Sequence, residues 1–305
     1  MEIGGVNFSI NIPGKTPHLL QELDPTYRCF FRKVNKRKNK IVGAIDIKIN
    51  LELGNLPDTG KLTKIFDSSQ SWLMFRESDV YWAVLHPPAH EKPIWAARFN
   101  RDVKDVTVYC SGRLIQEREG KTIIINPVRY PLDQLLIMYI LSRHQGAVIH
   151  AAGIEINGAG FIFPGPSGAG KSTLCRQFIL ANPENSVVFS DDRVVVRKSP
   201  GVHSTFQAFG TPWAGELGIA RSQGMHLNAI FFLRHGTGNK IKQLNPRQAL
   251  DSLLKVTSIP WYDREVMPEV LLFCESLITH VPLFELHFTP GLEVVRFLET
   301  RAREI

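Results

Sequence analysis

The sequence predicts a mixed α/β fold of the α+β kind, with a β-rich N-terminal part ahead of an α/β part that carries a phosphate loop. Three observations predict it. An apolar strand, Phe161-Ile162-Phe163, runs into Gly165-Pro166-Ser167-Gly168-Ala169-Gly170-Lys171-Ser172-Thr173, and a helix-forming run follows over 171–182. This is Gly, four residues, then Gly-Lys-Ser, set between a strand and a helix. Residues 1 to about 125 carry short alternating runs separated by turn residues. Between these two regions, 135–141 is apolar on every side, the pattern of a buried helix.

The N-terminal strands are justified in order. Residues 6–12 alternate, and 41–51 places Ile45, Ile47, Ile49 and Leu51 on one face. Residues 71–75, 80–85, 94–99 and 106–109 are further short strands, with Trp72, Trp82 and Trp95 expected in a β core. The run 32–40 holds six basic residues in nine. It reads either as an anion-binding patch or as a solvated hairpin tip between Phe30-Phe31 and Ile41-Val42, and charge runs favour the second. Residues 113–121 are charged and mark a connection, so the chain divides into 1–122, β-rich and a candidate for choosing an acceptor, and 123–305, the nucleotide-binding part. Tyr130-Pro131-Leu132-Asp133 opens the buried helix, with Pro131 in its first turn and Asp133 complementing its dipole.

In the second part, residues 147–150 predict a strand ending at His150. Residues 154–156 and 161–163 predict a hairpin through Asn157-Gly158. The strand that feeds the loop is therefore a hairpin arm, whereas the common nucleotide-binding α/β fold feeds it from a parallel strand. Further on come a strand over 186–190, the acid pair Asp191-Asp192, a strand over 194–196 and a Gly/Pro-rich loop over 208–218 carrying Glu216. A strand at 228–233, helices opening at Asn245-Pro246 and Pro268, a strand at 283–288 and a last helix from Pro290 complete the chain.

The loop's residue types suit a triphosphate. Glycines at 165, 168 and 170 let the backbone approach an anion, the N–H groups form a nest, and the following helix adds its positive end. Lys171 is a point charge for the outer phosphates, and the Ser172 hydroxyl can ligate Mg²⁺. Two adjacent aspartates flanked by valines would repel each other unless a cation or a base role justified them. A histidine on a buried strand, as at His150, reads equally as core.

Bulk properties narrow the class. The 305 residues are 44% hydrophobic, with no apolar run long enough to span a membrane. Met1 to Gly5 lacks a basic region followed by an apolar stretch, so no signal peptide is expected. Cys29, Cys110, Cys175 and Cys274 form no CxxC pair, which speaks against zinc and for a reducing, cytoplasmic setting. The net charge of +7 suits anionic partners, nucleotides included. Nucleic acid is not expected, because no helicase-like motif series accompanies the basic run. Asn239-Lys240-Ile241-Lys242 lacks the final Asp of a guanine-specific motif.

His150, the hairpin, residues 165–172 and Asp191-Asp192, in that order and spacing, resemble the catalytic domain of HPr kinase/phosphorylase. That domain belongs to the phosphoenolpyruvate-carboxykinase-like group of phosphate-loop proteins. The resemblance covers roughly 128–300 and is specific over 146–198; the 209–218 loop and the strand at 227–233 resemble the subgroup with unassigned substrates. The family's Gly-rich segment after the acid pair has no counterpart here, and residues 1–125 do not resemble its regulatory domain. The resemblance implies that residues 165–173 hold ATP, that Ser172 and Asp192 hold Mg²⁺ with Glu216 as a weaker candidate, that Asp191 accepts the proton of an attacking hydroxyl, and that His150 and Lys171 lie at the same phosphoryl group. The roles of Asp191 and Asp192 reverse if the strand breaks at Ser190. Family members assemble as rings, so a homo-oligomer is compatible with the resemblance.

The expected function is thus an ATP-dependent kinase acting on a hydroxyl, serine of a protein or peptide first. A small-molecule hydroxyl kinase and a non-catalytic ATP-binding switch or assembly module are the alternatives.

Overall fold

Alternation at period two becomes sheet throughout the N-terminal part. Its strands are β1 (Glu2–Ile3), β2 (Val6–Asn11), β3 (His18–Leu20), β4 (Ile45–Leu53), β5 (Thr63–Asp67), β6 (Trp72–Glu77), β7 (Val80–Leu85), β8 (Trp95–Asn100), β9 (Asp105–Cys110), β10 (Ile115–Arg118) and β11 (Lys121–Ile125). The computed structural model describes residues 1–12, 18–20, 24–31, 44–181, 184–201 and 205–305. The basic run 32–40 and the expected strand start at Ile41 lie outside the described residues. Phe30 closes a 3-10 helix over Pro25–Phe30, so it is not the arm of a hairpin.

Eight strands form one sheet in the order β1-β2-β4-β9-β8-β7-β6-β5, with β2, β4 and β9 parallel and the rest antiparallel. In β4, Ile45, Ile47, Ile49 and Leu51 are buried while Asp46, Lys48, Asn50 and Glu52 are exposed, as period two requires. The charged stretch expected as a connection folds instead. Glu119 and Gly120 take positive φ (50° and 71°) and turn β10 into β11, and β3 completes this small sheet.

The second part comprises α1 (Leu132–Arg143), β12 (Gly146–Ile156), β13 (Ala159–Pro164), α2 (Lys171–Ala181), β14 (Ser186–Ser190), β15 (Arg193–Lys198), β16 (Phe206–Gly210), β17 (Gly224–His235), β18 (Lys240–Gln243), α3 (Pro246–Leu254), α4 (Met267–His280), β19 (Leu283–Phe288) and α5 (Glu293–Arg301). The sheet path is β13-β12-β15-β16-β17-β19-β18, with β14 on β12. The β12–β13 hairpin turns at Asn157-Gly158, both with positive φ (53° and 81°), the geometry that dipeptide favours. β13 is also parallel to β17, so the strand feeding the loop is both a hairpin arm and a parallel-sheet strand. α3 carries a full capping box between Asn245 and Gln248.

One core runs through both parts. Ile47, Tyr81 and Phe99 from the first sheet share it with α1, β12 and α4. Tyr139 of α1 meets Tyr81 and Phe99 edge-on, at 5.0 and 5.5 Å between ring centroids. This contact explains why α1 is apolar all round. Asp133 does more than complement a dipole: fully buried, it accepts from the Tyr27 hydroxyl (2.7 Å), the Trp213 indole N–H (3.1 Å) and the backbone N–H of Gln134 (2.7 Å). A second core, with Ile154, Phe163, Leu174, Phe231 and Leu298, lies under α2 and α5. Among the described residues, no helix is long and apolar enough to cross a membrane.

Candidate active site

The site forms where β13 and β14 end and β15 begins, beside the middle of β12, which does not stop at His150 as the sequence suggests but runs on to Ile156. Register pairs Ala151 with Pro164 and His150 with Arg193, so β12 carries His150 between the start of the glycine loop and the start of β15. The Gly165 N–H faces the His150 carbonyl at 3.4 Å, and the Ala151 N–H donates to the Asp192 carbonyl at 2.9 Å.

The loop spans Gly165 to Gly170, and Lys171 opens α2. Gly168 and Gly170 take φ of 81° and 103°, values that L side chains rarely adopt. A Cβ on Gly165 would stand 2.6 Å from that of Ala169. Pro166, Ser167 and Gly168 are exposed at the tip, Ala169 is buried, and Ser172 and Thr173 are half-buried in the first turn of α2. The Lys171 ammonium folds back over the loop and donates to the carbonyls of Gly165 (2.8 Å) and Pro166 (3.1 Å). Burial lowers its pKa, the Asp192 charge works the other way, and the Arg193 charge adds to the lowering.

β14 ends at Ser190, the break under which the roles expected for Asp191 and Asp192 are exchanged, and both lie in the bend before β15, where strand alternation does not govern them. Their environments differ sharply. Asp191 is 1% exposed; one carboxylate oxygen accepts the Gly215 N–H (2.8 Å) and the other the Leu217 N–H (2.7 Å). The base role expected for Asp191 would fall to an oxygen that already accepts one backbone N–H, in a side chain that is almost fully buried. Its carboxylate anchors the loop after β16.

Asp192 is half-buried. Its Oδ1 lies 2.8 Å from His150 Nε2, and its Oδ2 accepts from the Arg193 guanidinium at 2.9 Å. Burial opposes the charge, but the His150 hydrogen bond and the positive Arg193 and Lys171 outweigh it and hold the carboxyl below its ordinary range.

Glu216, the weaker candidate ligand, is engaged elsewhere. It is exposed and pairs with Arg176 on α2. Among the described residues, no group of three His, Cys, Asp or Glu is arranged to hold a metal ion. Ser172 and Asp192 offer two side chains with oxygen donors, so any cation held there would need further ligands, such as phosphate oxygens.

Two contributors were not singled out from the sequence. Arg193 directly follows the acid pair, and that adjacency was its signal. His235, the last residue of β17, places Nε2 3.1 Å from the Gly168 carbonyl. The parallel β13–β17 pairing that brings it there could not be read from local pattern.

Comparison with known proteins gives three results. No curated protein matches the chain. Among solved structures, the HPr(Ser) kinase/phosphatase from Coxiella burnetii is similar at 14% identity, covering 52% of this chain and 88% of that one, with a TM-score of 0.25. The family model of the SynChlorMet cassette protein ScmC matches residues 115–269, just over half of the 305 residues. The chain belongs to the ScmC family of SynChlorMet cassette proteins.

Proposed function

We propose that this chain is an ATP- and Mg²⁺-dependent kinase that moves the γ-phosphoryl group to a hydroxyl, serine of a protein or peptide in the first instance. The observation that carries the reading is the convergence of His150, Lys171, Asp192 and Arg193 on one glycine loop. Phosphoryl transfer needs a cradle, a cation and a group that positions the nucleophile, and little more.

In this reading the loop N–H groups and Lys171 bind the triphosphate, and Lys171 exchanges its two carbonyl partners for phosphate oxygens. Ser172 and Asp192 would hold Mg²⁺, which supplies neutralisation of the charge developing on the phosphate oxygens. A carboxylate held below its ordinary range is a poor proton acceptor and a good cation ligand, so the proton falls to His150. With Nε2–H donated to Asp192, the Nδ1 lone pair remains to take the proton of the attacking hydroxyl. The acceptor oxygen bonds to the γ-phosphorus, the bond from phosphorus to the bridging oxygen breaks, and ADP leaves. Arg193 holds Asp192 in place, and Asp191 fixes the 215–217 loop beside it.

The test is calorimetric titration of Mg·ATP together with transfer of labelled γ-phosphate into serine peptides and small hydroxyl compounds. Binding and labelling support the reading. Tight binding with no labelled acceptor favours the ATP-binding switch, and labelling of small hydroxyl compounds alone favours the small-molecule kinase.

A further inference from the structure

Away from the glycine loop, α1, the segment after α3 and the edge of the first sheet enclose a cavity of about 580 Å³. Its walls include Phe66, Trp72, Tyr130, Gln134, Trp261 and Tyr262, and among the described residues no charged side chain lines it. The volume falls in the range of ligand sites, about 300–1,000 Å³. Phe66 lies in its wall between two other rings, with centroids 4.5 Å from Tyr262 and 4.8 Å from Trp72. Trp261 and Tyr130 are 57% and 56% exposed, so two large rings stand at the rim where burial would otherwise be favoured.

Two paths join this cavity to the candidate site. Ser258, on its wall, donates its N–H to Val148 of β12, and two residues earlier the Val256 carbonyl accepts the His150 N–H. On the other side, Gln134 follows Asp133, which holds Trp213, and two residues on Gly215 donates to Asp191. The cavity therefore shares its supports with both His150 and the acid pair.

We propose that this cavity binds an aromatic side chain of the peptide acceptor, seated between the Trp261 and Tyr130 rings, while the acceptor hydroxyl lies at His150. Uncharged aromatic walls select a ring over an ionised side chain, because a charge would be desolvated there without a partner. The backbone bonds to β12 set the Ser258 wall two strand residues from His150, and the occupant is taken to be part of the molecule that also reaches His150. This identification of the peptide as acceptor rests on the kinase reading above.

The test uses the full chain without nucleotide, titrated calorimetrically with N-acetyl-tryptophanamide, N-acetyl-phenylalaninamide and N-acetyl-lysinamide. The two aromatic amides are expected to bind saturably and the lysine amide not to bind. Trp261→Ala, at an exposed position, is expected to weaken the tryptophan amide about tenfold or more, and Met138→Trp, which fills the cavity from α1, to abolish binding. Lys171→Ala is expected to bind the amide as the unaltered protein does. Failure of both aromatic amides to bind, or equal binding in all variants, overturns the proposal. A second arm compares two serine peptides that differ only in one Trp or Ala near the serine. A KM at least about tenfold lower for the Trp peptide, lost in Trp261→Ala with kcat kept, supports the pocket as an acceptor site. Equal KM values overturn it. Aromatic amides that bind while no peptide is labelled uphold the pocket and sink the kinase reading instead.

Discussion

His150 Nε2 and Asp192 Oδ1 lie 2.8 Å apart, joined across the β12–β15 edge at the point where the glycine loop begins. The contact orients the imidazole and holds the aspartate charged. His150→Gln is expected to slow transfer by about 10²-fold or more, the scale of a lost proton acceptor, with Mg·ATP affinity little changed. Asp192→Asn is expected to raise the Mg²⁺ requirement and weaken Mg·ATP binding. Single-turnover transfer and calorimetry on both variants separate the roles, and unaltered transfer in His150→Gln removes the histidine from the mechanism.

Asp191 makes the opposite prediction. Truncation to Ala removes the acceptor of the Gly215 and Leu217 N–H groups; Gly215 is exposed and can turn to water, so the loss is on the order of 1–3 kcal/mol in total. Urea unfolding of Asp191→Ala is expected to show a loss of that size. Unchanged stability with abolished transfer would return the base role to Asp191.

Asp133 supplies a pH dependence. Burial pushes its pKa up to about 6, and the bonds from Tyr27, Trp213 and the Gln134 backbone pull it only part of the way back. Between the ordinary carboxyl value and about 6 the folded chain keeps this proton while the unfolded chain has lost it, so the Asp133 contribution to stability falls as pH rises through that window and is level above it. The size is on the order of 3 kcal/mol. The stability difference between the unaltered protein and Asp133→Asn, measured by urea unfolding from pH 4 to 7, is expected to shift against the aspartate over that range. A difference that does not vary with pH contradicts the assignment.

The shared core makes a prediction about the chain's division. A fragment beginning at Ile123 loses Tyr81 and Phe99 from Tyr139, and Tyr27 from Asp133. It is expected to lack a cooperative unfolding transition by circular dichroism. A fragment that unfolds cooperatively and binds nucleotide would make 1–122 and 123–305 separate domains.

Much of this was legible locally. Asn157-Gly158 announced its hairpin, the alternation of Ile45 to Leu51 its buried face, and Gly165 to Ser172 its loop, because each rests on neighbours in sequence. That the division of labour between Asp191 and Asp192 turns on a strand break at Ser190 was legible; the burial of Asp191 was not. That burial goes with backbone donors from Gly215 and Leu217, which only the fold brings near. Glu216 looked like a ligand because it is the one acid in its loop, yet Arg176 on α2 pairs with it. Strands β10 and β11 were hidden by their charge: Glu117, Arg118 and Lys121 face water while the pairing is made by backbone.

In the proposed function the loop, Lys171 and the His150–Asp192 pair transfer phosphate and do not merely hold a nucleotide. The most direct measurement is single-turnover transfer of labelled γ-phosphate to a serine peptide by the unaltered protein, Lys171→Ala and His150→Gln. Label is expected in the peptide with the unaltered protein, none with Lys171→Ala, which also loses nucleotide affinity, and transfer about 10²-fold slower or more with His150→Gln at near-normal affinity. Bound nucleotide with no label in any peptide or small hydroxyl compound, or equal transfer by all three proteins, would contradict the proposed function.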